Sequence, residues 1–169
     1  MQHRPTNHVP ETFAPPPPTL SQEAKVPSGI AGVHFINFRS IHDPSGNLTP
    51  IEESQDVPFD IKRVFFLYDV PGGAARGGHA HRRLEEVVIA VSGSFDIVVE
   101  DGIARGRYSL NRSYYGLYLP PMVWMNLENF SSNAVALVLA SLPFDEADYY
   151  RDRGDFLAVA RGVPGQPLA

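Results

Sequence analysis

His79 and His81 sit in the run Arg76-Gly77-Gly78-His79-Ala80-His81-Arg82, one residue apart. On an extended strand, side chains at i and i+2 point to the same face, so the two imidazoles converge on one small volume. With an unperturbed pKa of ~6.5, one neutral imidazole accepts a proton while a protonated neighbour donates one near neutral pH. That pair suits general acid–base chemistry, in which one ring takes a proton and its neighbour returns one. Same-face geometry assigns the pair and leaves its internal order open.

Such chemistry needs donors for the developing oxyanion and a grip on the substrate. Arg63 and Arg76 are candidates for both, because guanidinium gives paired hydrogen bonds to anionic oxygens. Glu85, Trp124, Asn126 and Tyr68 complete the candidate substrate contacts: a carboxylate beside the histidines, an amide, and two aromatic faces. Tyr149, Tyr150 and Phe156 are read as packing residues for C-terminal helices. His3, His8, His34 and His42 have no partner at a useful spacing.

The elements that must hold these residues are short strands. Period-two patterning and turn residues mark Val33–Ser40, Leu48–Glu52, Ile61–Val70, Glu86–Val91, Ser94–Glu100, Ala104–Leu110, Gly116–Leu119, Val123–Leu127 and Ala134–Ala140. Breaks fall at Pro44-Ser45-Gly46-Asn47, Gly72-Gly73, Ser92-Gly93, Asp101-Gly102 and Pro120-Pro121. About ten such strands predict an all-β, closed or double-sheet architecture. Helices are expected only at the end, over Asp145–Arg151 and Arg153–Ala160.

The chain has 169 residues, 43% hydrophobic and 20% charged, enough for one well-filled domain. That domain is expected over 29–161, after a proline-rich arm at 1–28 containing Pro15-Pro16-Pro17-Pro18 and before a frayed tail at 162–169. The formal charge of −5 provides no positive field for nucleic acid or anionic lipid. No apolar run approaches the ~20 residues of a membrane span. Without cysteine the chain has neither disulfides nor thiolate metal sites, which fits a reducing cytoplasm.

Gly78-His79-x-His81, followed by Glu85-Glu86 and Gly93, resembles the first motif of the cupin superfamily. Metal-binding cupins add a histidine from a second motif, here matched by Pro120-Pro121-Met122-Val123-Trp124-Met125-Asn126. Trp124 stands at that histidine's place, and indole has no lone pair for a metal. A metal held by Glu85 or Glu86 with water is the lesser reading, so neither metal nor cofactor is expected.

A narrower resemblance rests on Ile61-Lys62-Arg63-Val64, the Arg76–Arg82 run, Ser92-Gly93-Ser94, Gly116-Leu117-Tyr118, Pro121-Met122-Val123-Trp124, Phe130-Ser131-Ser132, Val138-Leu139-Ala140-Ser141 and Asp145-Glu146-Ala147-Asp148-Tyr149. In this order they resemble the cupin-type dTDP-4-keto-6-deoxyglucose 3,4-ketoisomerases of deoxysugar biosynthesis. The resemblance implies a jelly roll with short C-terminal helices and a homodimer with exchanged strands. It also implies a dTDP-linked 4-keto-6-deoxy sugar as substrate, with His79 as carbon base and His81 as its partner. It places Arg63 and Arg76 at substrate-contacting positions, and makes Ser45 and Met125 candidates for steering the face of reprotonation. A cupin sugar-nucleotide 3,5-epimerase and a non-catalytic carbohydrate-binding cupin are the alternatives.

Overall fold

In a computed structural model the described residues are 29–162, so the arm at 1–28 and all but the first residue of the 162–169 tail lie outside them. The strands are β1 His34–Asn37, β2 Ile41–Asp43, β3 Gly46–Leu48, β4 Arg63–Leu67, β5 Arg76–His81, β6 Glu86–Ser92, β7 Phe95–Glu100, β8 Arg105–Leu110, β9 Tyr115–Leu119, β10 Trp124–Glu128, β11 Val135–Ala140 and β12 Tyr149–Tyr150. A one-turn 3-10 helix covers Glu146–Asp148, and helix α1 covers Arg153–Ala160.

Two five-stranded sheets, ordered β1-β9-β6-β11-β4 and β12-β5-β10-β7-β8, carry the fold. Every strand pair is antiparallel. The main core lies between the sheets: Val88, Ala90, Leu117, Leu119, Ala136 and Val138 from one meet Phe95, Ile97, Val99, Leu110, Met125 and Leu127 from the other. This is the expected all-β double-sheet architecture.

Both outer faces are partly covered as well, which explains why β6 reads as a continuous apolar run. Its Val88 and Ala90 face the inner core, whereas Val87 and Ile89 pack outwards against Phe38, Val57 and Phe59. On the other sheet, Ala80 and Trp124 are covered by Tyr150 and by Phe156 of α1. Helix α1 starts where Asp152 accepts from Asp155 N at 3.0 Å, and after its last residue, Ala160, the chain turns away at Gly162, whose φ of +66° suits glycine after a helix.

The helix expected at Asp145–Arg151 is a correction. After its single 3-10 turn, the adjacent Tyr149 and Tyr150 pair with His81 and Ala80, adding a short edge strand to β5. Aromatic residues favour strands, and the β5 edge offers backbone groups to pair. The strand expected at Leu48–Glu52 is also shifted, since pairing stops at Leu48. The turn at Pro44-Ser45 closes a β2–β3 hairpin that pairs only with itself. Among the described residues no helix is long and apolar enough to cross a membrane.

Candidate active site

Two consecutive glycines aim the histidines. Gly77 and Gly78 have φ of +86° and +71°, and the β5–β10 register shifts beside them, between Met125 and Asn126. A Cβ on Gly77 would lie 2.9 Å from the Met125 carbonyl oxygen, so no larger residue fits the bulge. Beyond it β5 alternates regularly: His79 and His81 face inwards, and Ala80 between them faces the outer layer.

A cavity of about 290 Å³ opens between the sheets at this end, lined by His79, Glu86, Arg76, Arg151, Met125 and Phe65 among others. His79 is half-buried in its wall, and its Nδ1 has no hydrogen-bond partner. Burial is the main reason its pKa lies below the ordinary histidine value of 6.5; Glu86 and a contact with the Gly77 backbone too poorly aligned to count as a hydrogen bond oppose the shift, while His81 and Arg151 add to it. A neutral imidazole at neutral pH is the form that accepts a proton.

His81 lies deeper, 5% exposed, with its ring centroid 5.0 Å from that of His79. Its Nε2 is 3.4 Å from a Glu86 oxygen and its Nδ1 is 3.3 Å from Asp148 Oδ2, and both carboxylates are buried. Neither contact is aligned as a hydrogen bond. Tyr149 covers both imidazoles, with centroid distances of 5.0 Å to His79 and 4.2 Å to His81. Its hydroxyl accepts from Arg63 at 3.4 Å, and the Arg151 guanidinium lies 3.9 Å above its ring.

The geometry sorts the expected residues. His79 and Arg76 line the cavity, His81 stands behind it, and Arg63 reaches the same Tyr149. Trp124 is a core residue: it alternates with cavity-lining Met125, faces outwards, and tilts against Phe156 at 5.7 Å. Asn126 shares that outward parity on β10 and lies over Gly78. Glu85 precedes β6 and accepts a hydrogen bond from Tyr118, which packs with the outer cluster of the other sheet. Burial, with this bond, pushes the Tyr118 phenol above its usual pKa.

Tyr68 is 65% exposed and borders a depression of about 390 Å³ with Phe66, Asp69 and Val135, apart from the histidines. Ser45 N donates to Asp43 Oδ1 at 2.8 Å in the hairpin turn, whereas Met125 does line the cavity. Trp124, Asn126, Glu85 and Tyr68, expected as substrate contacts, are thus not among the side chains that line the His79 cavity. Tyr149, Asp148 and Arg151 are what sequence reasoning missed. The local signal was the Tyr149-Tyr150 pair, whose alternation puts one ring on the histidines and the other on Phe156.

His79, His81 and Glu86 each place one donor atom within 4.8 Å of the others, a spacing able to hold a metal ion. Among the described residues this group has three members, and a catalytic metal commonly uses three protein ligands plus water. The donors thus fit a weakly held cation as well as an acid–base pair.

The family model FdtA, described as WxcM-like, C-terminal, matches residues 31–161. The chain is 42% identical over 121 residues to a TDP-4-oxo-6-deoxy-α-D-glucose-3,4-oxoisomerase from Aneurinibacillus thermoaerophilus, covering 72% of this chain and 87% of that protein. It resembles a mutant of the 3,4-ketoisomerase QdtA from Thermoanaerobacterium thermosaccharolyticum, solved with TDP-4-keto-6-deoxyglucose: TM-score 0.78, 37% identity, covering 80% of this chain and 98% of that one. For WlaRB, a TDP-quinovose 3,4-ketoisomerase from Campylobacter jejuni, the values are 0.73, 42%, 76% and 98%.

Proposed function

This chain belongs to the FdtA family, and from that premise we propose that it is a 3,4-ketoisomerase of TDP-4-keto-6-deoxyglucose with His79 as the carbon base. The observation that carries the proposal is the half-buried His79 imidazole, set in the wall of a cavity that also holds Glu86 and two arginines. Neither alternative, epimerase or binding-only cupin, gains a comparable observation.

In the proposed reaction the sugar enters with C3–H towards His79. Its ring nitrogen takes the C3 proton, and the electron pair of the broken bond forms C3=C4 while the C4 carbonyl oxygen becomes an enediolate oxygen. Arg76 and Arg151, on the cavity wall, are placed to stabilise that charge or the diphosphate. The enediolate oxygen O4 takes up a proton, O3 loses its own as C3=O forms, and C4 accepts a proton. Protons leave C3 and O3 and arrive at C4 and O4, and no external oxidant is consumed. His81 and Glu86, within 4.8 Å of His79, form the acid side of the pair.

The proposed assembly is a homodimer with exchanged strands, in the cytoplasm. Supporting the exchange, the β2–β3 hairpin pairs only with itself and leaves Ile41 52% and Leu48 60% exposed. The activity is tested by incubating the purified chain with TDP-4-keto-6-deoxyglucose and identifying the sugar by NMR. A 3-keto product, lost in His79→Asn, is expected. Intact substrate, or a product with the ketone still at C4 and an inverted neighbour, would contradict it.

A further inference from the structure

We propose that Asp148 is a positioning residue for the isomerisation, holding the His81 ring by Nδ1 so that Nε2 stays turned towards Glu86 and the cavity. The inference rests on the acid–base reading above. It starts from a carboxylate that is 2% exposed on a one-turn helix at the end of the barrel. A buried carboxylate is costly unless its charge is matched.

The neighbours of Asp148 account for its place but not for its charge. Oδ2 accepts from Leu84 N at 3.1 Å, a bond that any small polar side chain would supply. Oδ1 accepts from Arg83 Nε at 3.3 Å, but that arginine is 70% exposed, and solvent-screened pairs of this kind contribute little. The main chain is fixed separately, by Asp148 N donating to Asp145 O at 3.1 Å and Arg82 N donating to Asp148 O at 2.8 Å. The remaining close partner is His81, buried, with Nδ1 3.3 Å from Oδ2 and no other acceptor.

The two carboxylates approach opposite nitrogens of one ring, Asp148 at Nδ1 and Glu86 at Nε2. Glu86 lines the cavity and Asp148 does not. An Nδ1–H donated to Asp148 thus leaves Nε2 as the atom that exchanges a proton with Glu86, and it stops the ring from turning over. Both contacts exceed the ~2.7–3.2 Å of an aligned N–H···O bond, and catalytic contacts of this kind tighten once substrate fills the site. A carboxylate behind a histidine that fixes tautomer and orientation is a recurrent device, and losing one costs about 10–100-fold in activity.

The test uses the full chain with Asp148→Asn, which keeps an acceptor for Leu84 N and removes the charge. We expect kcat on TDP-4-keto-6-deoxyglucose to fall at least tenfold with KM within twofold. In the wild type, long-range ¹H–¹⁵N NMR of His81, assigned by its loss in His81→Asn, should show a proton on Nδ1. A kcat within twofold of wild type, a loss carried by KM alone, or a wild-type His81 without a proton on Nδ1 would overturn the proposal. Should Asp148→Asn fail to fold, the wild-type spectrum decides alone. Absence of wild-type turnover would instead overturn the isomerase reading, while the spectrum still tests the contact.

Discussion

Along β5, His79 and His81 face inwards beside Glu86 and under Tyr149, whereas Ala80 between them faces outwards beneath Trp124, Tyr150 and Phe156. The paired strand β12 repeats the division, with Tyr149 opposite His81 and Tyr150 opposite Ala80. One face gathers buried groups whose protons can move; the other is dry and clamps α1 and β12 to the barrel. The outer face holds the inner one in place. Asp148 and Tyr149 reach the histidines because Tyr150 and Phe156 anchor the segment around them.

His79→Asn is expected to lower kcat by about 10²–10⁴-fold, the usual contribution of general acid–base assistance, with little change in the thermal midpoint. Phe156→Ala should do the reverse. Phe156 is fully buried, and truncating such a ring costs about 3–5 kcal/mol, read as a lower urea midpoint. An equal loss of kcat at full folding would mean that the outer face enters the chemistry. Arg76→Ala should raise KM with a smaller change in kcat, since a charge-assisted hydrogen bond is worth ~1.5–3 kcal/mol. Trp124→Phe should destabilise by about 1 kcal/mol and leave KM unchanged, as befits a core residue. A KM effect would return Trp124 to the ligand.

The pH profile sharpens the same contrast. Because burial holds His79 below its ordinary 6.5, its neutral, proton-accepting form persists as pH falls through that value. The acid limb of kcat/KM should therefore lie below pH 6.5 rather than at it. The stability sign agrees: below 6.5 the unfolded chain binds the proton first, so stability falls as pH drops. A limb at or above 6.5 would show that His79 is solvated or that another group is the base.

Much of this was legible in the residues. The His-x-His alternation placed both imidazoles on one face, and the bounds Arg153–Ala160 of α1 follow from Asp152 before it and Gly162 after it. Parity was harder. Whether Glu85 or Glu86 points inwards depends on where β6 begins, and whether Trp124 or Met125 does depends on pairing with β5 and β7. A shift of one residue reverses every side chain on a strand, so composition alone could not sort these neighbours. Tyr149 and Asp148 were missed because β12 pairs with a strand some seventy residues earlier in the chain, and the Tyr149-Tyr150 alternation does not by itself name that partner.

The most direct measurement is one conversion of TDP-4-keto-6-deoxyglucose in deuterated water, followed by proton NMR, with wild type and His79→Asn side by side. We predict a 3-keto product from the wild type carrying solvent deuterium at C4, and unchanged, unexchanged substrate with the variant. Conversion or exchange at the wild-type rate in His79→Asn would contradict the assignment of His79 as the base.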